Sequence, residues 1–124
     1  MPLKVLVCDD EKNIVRLIQV NLERQGYTVV TAFDGREALQ MVAQEHPDLI
    51  MLDVMMPHVD GIEVLRTIRR NPITAKIPVI MLTVQAQEGD DSKGLAAGAD
   101  MYMTKPFNPD DLQQFLKKIS PVQP

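Results

Sequence analysis

The sequence predicts an α/β fold built on a doubly wound parallel sheet, and three observations carry that prediction. Short runs of almost wholly apolar residues recur along the chain, the most apolar being Leu49-Ile50-Met51-Leu52-Asp53-Val54-Met55-Met56-Pro57. Such runs lack the apolar–polar alternation of a sheet with one wet face and belong to strands buried on both faces. They alternate with stretches of helical periodicity, the pattern of right-handed β-α-β crossovers. Several runs also end in polar groups, at the edge where open α/β sheets bind their ligands.

In chain order, Leu3 to Cys8 (LKVLVC) reads as the first strand, ended by Asp9-Asp10-Glu11. A helix follows with Ile14, Leu17, Ile18 and Leu22 on its inner face and Gly26 as its stop. Tyr27 to Ala32 (YTVVTA) is a β-branched second strand. Asp34 caps the second helix, Glu37 completes a capping-box-like pattern, and Ala38, Leu39 and Val42 face inward. Pro47-Asp48 breaks the chain before the third strand. A turn from Met56 to Gly61 leads into a third helix, with Asp60 as N-cap, Glu63 as third helical residue and Ile62, Leu65 and Ile68 inward.

Asn71 to Pro78 is a loop, and Pro78 to Leu82 (PVIML) is a fourth strand that ends at Thr83. Gln85 to Ala97 reads as a weakly packed fourth helix, because Leu95 is its only large apolar residue and Gly89, Gly94 and Gly98 lie in or beside it. Ala99 to Lys105 is the fifth strand, followed by Pro106. Asn108 and Pro109 open the last helix, with Leu112, Phe115, Leu116 and Ile119 inward. Five strands and five helices in this alternation predict the flavodoxin-like strand order 2-1-3-4-5, whose switch point lies between strands one and three. Residues 1–120 form one domain, and 121–124 are a tail or the start of a linker.

Bulk properties exclude several functions. A net charge of −4 gives no basic footprint for direct nucleic-acid binding. The single cysteine, Cys8, excludes an internal disulfide and a Cys-rich zinc site, and its apolar surroundings predict a buried, inert thiol. No apolar stretch reaches membrane-spanning length and no signal-peptide pattern follows Met1, so the expected location is cytoplasmic. The eight methionines read as core and strand residues, and His46 and His58 as exposed loop residues.

The predicted topology brings Asp9/Asp10, Asp53, Thr83 and Lys105 to one edge of the sheet. Three carboxylates together require protonation of one of them or a hard cation. Oxygen donors favour Mg2+, with Mn2+ or Ca2+ in its place. Lys105 offers a positive charge and Thr83 a hydroxyl, both suited to phosphoryl oxygens. These parts match phosphoryl transfer, with the central Asp53 as carboxylate nucleophile.

The ordered set of Asp9-Asp10, LDVMMP on the third strand, Asp60-Gly61, MLT on the fourth, and GAD and Lys105-Pro106-Phe107 around the fifth resembles the receiver domain of two-component response regulators, of the chemotaxis-regulator-like kind. The resemblance runs from Leu3 to about Ile119. It implies that Asp53 accepts a phosphoryl group from the phosphohistidine of a histidine kinase or phosphotransfer protein. It implies that Asp10 and Asp53 hold magnesium directly, Asp9 largely through water, and Met55 by its backbone carbonyl. Lys105 would pair with the acceptor and then with the phosphoryl group, and the Lys105–Pro106 bond would be cis. Thr83 and Tyr102 would be the switch pair, reshaping the surface of residues 85–97, the fifth strand and the last helix for an output partner. Met55 and Gln85 occupy positions that tune dephosphorylation.

Three departures from the commonest pattern matter. Val84 stands where a small residue is usual, and its branched side chain is expected to narrow the phosphoryl pocket. Met55 cannot act as a base, whereas Gln85 is able to orient a water. Met101 and Phe115 leave the charged dimer face incomplete, which predicts a monomer or weak homodimer. Two rivals from other classes are a phosphorylation-independent interaction module, disfavoured by the complete site, and an aspartate-nucleophile phosphohydrolase, which would need an acid where Met55 stands. A flavodoxin-like electron carrier fails because Asp9-Asp10-Glu11 would repel a flavin phosphate. The chain is therefore expected to be a switch that promotes only its own phosphorylation and dephosphorylation, rather than an enzyme acting on other substrates.

Overall fold

The computed structural model describes residues 3–54, 56, 60–83, 98–104 and 109–119, the side chains of Thr104, Pro109, Asp111, Phe115, Lys118 and Ile119 excepted. Five strands, β1 (Lys4–Cys8), β2 (Thr28–Ala32), β3 (Leu49–Asp53), β4 (Val79–Thr83) and β5 (Met101–Thr104), form one sheet in the order β2-β1-β3-β4-β5. Every pairing is parallel, with Val5 opposite both Val29 and Leu49, Met51 opposite Ile80, and Met81 opposite Tyr102. Four helices lie among the described residues: α1 (Lys12–Arg24), α2 (Gly35–Glu45), α3 (Gly61–Arg70) and α4 (Pro109–Ile119). This is the expected flavodoxin-like architecture. The predicted helix over 85–97, the Asn108 cap and the tail lie outside the described residues.

The alternation of buried side chains along each strand explains why the strands read as unbroken apolar runs. Val5, Val7, Leu49, Met51, Ile80 and Leu82 face one way, against Val15, Ile18 and Leu22 of α1 and Leu112 and Leu116 of α4. Leu6, Cys8, Ile50, Leu52, Val79 and Met81 face the other way, against Ala38 and Val42 of α2 and Val64, Leu65 and Ile68 of α3. A sheet covered on both faces has no wet side for polar residues to occupy.

The helix ends follow local chemistry. Gly26 adopts φ +94°, its N–H donates to Glu23 O at 3.0 Å and the Tyr27 N–H donates to Leu22 O at 3.1 Å, a Schellman stop for α1. The Asp34 and Asp60 side chains accept from Glu37 N–H (2.8 Å) and Glu63 N–H (2.9 Å), capping α2 and α3 as predicted. Glu37 reaches back to Phe33 N–H at 2.6 Å, one residue upstream of the N-cap.

One predicted core position is corrected. Leu17 is 52% exposed, and the buried stripe of α1 is Val15, Ile18 and Leu22. At about 100° per residue, Leu17 falls on the far side of the helix from that stripe, while Ile14 lies at its margin and is half-buried. Leu39 and Ile62 also sit at the margins, partly buried against the core.

Candidate functional site

In a parallel sheet all C-terminal strand ends share one edge, so the chain order alone gathers the residues that follow β1, β3 and β4. Asp9 comes directly after β1 and its N–H extends the ladder to Ala32 O at 3.2 Å. Asp53 is the last residue of β3, and the next residue, Val54, donates to Leu82 O at 3.0 Å. The order β2-β1-β3 makes β1 and β3 neighbours. One carboxylate oxygen from each of Asp9, Asp10 and Asp53 lies within 4.8 Å of the others. Asp9 is fully buried and Asp53 is 3% exposed, whereas Asp10 is exposed.

Asp9 also shapes the turn into α1. Its Oδ1 accepts the Glu11 N–H at 2.9 Å, an Asx turn, while Glu11 itself is the N-cap and makes no side-chain capping bond. Cys8, one residue earlier, alternates to the opposite face. Its Sγ lies 3.3 Å from Met56 Sδ and 3.5 Å from the Asp34 carbonyl oxygen, so the sulfur is turned away from the carboxylates. The donor set is therefore three hard oxygens, the chemistry of a hard divalent cation.

Thr83 ends β4 at 8% exposure, across from Thr104 of β5. Tyr102 lies opposite Met81 and is half-buried against the core shared with α2 and α3. Alternation along β4 and β5 sends Thr83 toward the same face as Tyr102. Met55, Val84, Gln85, Lys105 and Pro106 lie outside the described residues, so the metal-binding carbonyl, the lysine, the cis bond and the dephosphorylation positions remain expectations from the sequence.

The sequence reading named Asp60-Gly61 among the motifs but gave Gly61 no role at this site. Gly61, the first residue of α3, packs directly against the Asp53 carbonyl, and its N–H donates to Val54 O at 2.9 Å. The signal was a glycine placed between an N-cap aspartate and a helix that does not otherwise need one.

Comparison with known proteins agrees with this geometry. The family model described as the response regulator receiver domain matches residues 5–117. The alkaline phosphatase synthesis transcriptional regulatory protein PhoP of Bacillus subtilis (strain 168) is 52% identical over 116 residues, covering 94% of this chain. The match takes in 48% of PhoP, so the chain spans about half the length of that relative. Among solved structures, the Vibrio cholerae chemotaxis protein CheY4 superposes with a TM-score of 0.89 at 35% identity, covering 96% of this chain and 99% of that one. The receiver domain of a sensor histidine kinase from Pseudomonas aeruginosa PAO1, with a magnesium ion coordinated in its active site cleft, gives a TM-score of 0.88 at 30% identity, covering 97% and 99%. With a family match running almost from end to end, over a sheet order and an acidic strand edge that the residues build by themselves, this chain belongs to the response regulator receiver domain family of two-component systems.

Proposed function

We propose that the chain is a phosphorelay switch whose acceptor is Asp53, supplied by a histidine kinase or phosphotransfer protein. The observation that carries this reading is the convergence of Asp9, Asp10 and Asp53 within 4.8 Å, two of them buried, at the switch point of the sheet. Buried charges of one sign at that spacing favour a bound divalent cation. Asp10 and Asp53 would hold Mg2+ directly, Asp9 largely through water, and Met55 by its backbone carbonyl; Mn2+ and Ca2+ share the same donor preference. When bound, the metal supplies positive charge for the phosphoryl oxygens of the transition state.

The residues of the chain divide the remaining work. An Asp53 carboxylate oxygen attacks phosphorus; the new O–P bond forms as the donor's N–P bond breaks, and the histidine nitrogen leaves with the electron pair. A carboxylate needs no general base for this step. Lys105, one residue past the end of β5, provides the second positive charge. Thr83 donates its hydroxyl to the phosphoryl group, and Tyr102, on the same face, turns inward behind it. The resulting population shift changes the surface of residues 85–97, β5 and α4 and so the choice of output partner. Gln85 and Met55 set the lifetime of the aspartyl phosphate.

With a net charge of −4, the domain is proposed to signal by protein contacts in the cytoplasm, with no direct nucleic-acid or membrane binding. Among the described residues no helix is long and apolar enough to cross a membrane. Residues 1–120 would be the receiver unit, with 121–124 as a tail or the start of a linker.

Incubation with a small acyl phosphate and Mg2+, followed by intact mass measurement, tests the reading. One added phosphoryl group is expected, absent after Asp53→Asn and after chelation of the metal. No adduct overturns it in favour of a phosphorylation-independent module, and an adduct indifferent to Asp53→Asn overturns Asp53 as the acceptor. Light scattering on the same phosphorylated sample should give a monomer or a weak dimer; a tight dimer would contradict the incomplete charged face left by Met101 and Phe115.

A further inference from the structure

We infer that Gly61 is a positioning residue for the acceptor, because the space a side chain would need there is filled by the main chain that carries Asp53. A Cβ on Gly61 would fall inside the van der Waals envelope of the Asp53 carbonyl oxygen, and 2.9 Å from both the Asp53 carbonyl carbon and the Val54 Cα. All three are backbone atoms, so no change of rotamer relieves the overlap. The backbone conformation does not itself ask for glycine. Gly61 is helical, and among the described glycines only Gly26 and Gly98 have positive φ. Glycine is also a poor helix former. Its presence is therefore explained by close approach alone.

That approach couples the start of α3 to the acceptor. Val54 donates to Leu82 O at 3.0 Å on one side and accepts the Gly61 N–H at 2.9 Å on the other, so the peptide following Asp53 is held between β4 and α3. The helix cannot easily retreat. Its first turn is capped by Asp60 at 2.9 Å from Glu63 N, and Val64, Leu65 and Ile68 anchor it in the core. Any side chain at position 61 must then move the Asp53 main chain, and with it the carboxylate relative to Asp9 and Asp10. Misplacement by about 1 Å at a reacting group can cost about 100-fold in rate.

The inference rests on the reading of Asp53 as acceptor, and the experiment separates the two. Gly61→Ala is compared with wild type and with Leu22→Ala, a buried position near the end of α1 on the opposite face of the sheet from α3, under conditions where all three are folded by circular dichroism. Two quantities are measured: the rate of adduct formation with an acyl phosphate, and, with no phosphodonor present, the magnesium midpoint from amide NMR shifts in β1 and β3. Gly61→Ala should slow the adduct about tenfold or more and raise the midpoint several-fold, while Leu22→Ala keeps wild-type values. Wild-type behaviour of Gly61→Ala, or equal losses in Leu22→Ala, overturns the proposal. Should Gly61→Ala fail to fold, the wild-type titration still decides: the Gly61 and Val54 amides should shift with one midpoint, and a Gly61 amide indifferent to magnesium overturns the coupling. If wild type takes up no phosphoryl group, or Asp53→Asn takes up as much, the acceptor reading fails instead, and the magnesium titration still tests the positioning.

Discussion

Cys8 and Asp9 are adjacent in sequence yet belong to different environments, because strand alternation turns their side chains to opposite faces of the sheet. The thiol is fully buried beside Met56. Burial, reinforced by the negative charge of Asp9 and then of Asp53, pushes its pKa far above the ordinary thiol value. The folded protein therefore holds the thiol proton while the unfolded chain releases it around the ordinary value of 9.0. The stability this contributes is complete below that pH and is lost progressively as pH rises toward the folded value. Iodoacetamide at pH 8 should accordingly leave the native protein unlabelled and modify Cys8 only after unfolding in urea. Labelling of the native protein at the unfolded rate would contradict this account. Asp9, Asp10 and Asp53 were legible because each follows or ends an apolar run. The close approach of Gly61 was not, since its partner is a backbone atom eight residues earlier and leaves no mark in the side-chain pattern.

At the scale of elements, α1 shows how far periodicity reaches. Four apolar residues were assigned to its inner face, but the sheet accepts a narrower stripe, and Leu17 remains 52% exposed. Ile18→Ala, which empties a fully buried position, should destabilise by about 2–5 kcal/mol. Leu17→Ser should stay within about 0.5 kcal/mol of wild type. Urea denaturation midpoints distinguish the two, and equal losses would mean that Leu17 packs against something in solution. Helix caps were more legible than helix faces. Asp34, Asp60 and the Gly26 stop involve partners within five residues, so their chemistry is written locally. The end of α2 was less so, because His46 takes the left-handed conformation (φ 50°) usually left to glycine or asparagine.

Across the whole molecule, Arg69 ties together segments that are far apart in sequence. Its guanidinium donates to the carbonyl oxygens of Gly98 (2.9 Å), Ala75 (3.0 Å) and Ile77 (2.6 Å) and pairs with Asp100 Oδ2 at 2.9 Å. The same Asp100 oxygen accepts the Val79 N–H at 2.8 Å, so one arginine joins the end of α3 to the entrances of β4 and β5. Its side chain is 20% exposed, but that of Asp100 is 46% exposed, so solvent tempers the ion pair and not the bonds to carbonyls. Arg69→Ala should cost about 2–3 kcal/mol by leaving these acceptors without their charged donor. In a double-mutant cycle with Asp100→Ala, the pair should couple; simple additivity in denaturant unfolding would show that the carbonyl contacts alone carry the effect. This hub lies at the opposite end of the strands from Asp53, so phosphoryl uptake should survive its loss wherever the protein is folded.

The sequence by itself determined the parallel sheet, its strand order and the gathering of Asp9, Asp10 and Asp53, because these follow from apolar runs, their alternation with helices and the chain rules for crossovers. Tertiary structure alone decided which flank of α1 meets the sheet, what Arg69 holds together and why position 61 must lack a side chain. Those outcomes depend on distances of a few ångströms between residues that no local pattern links.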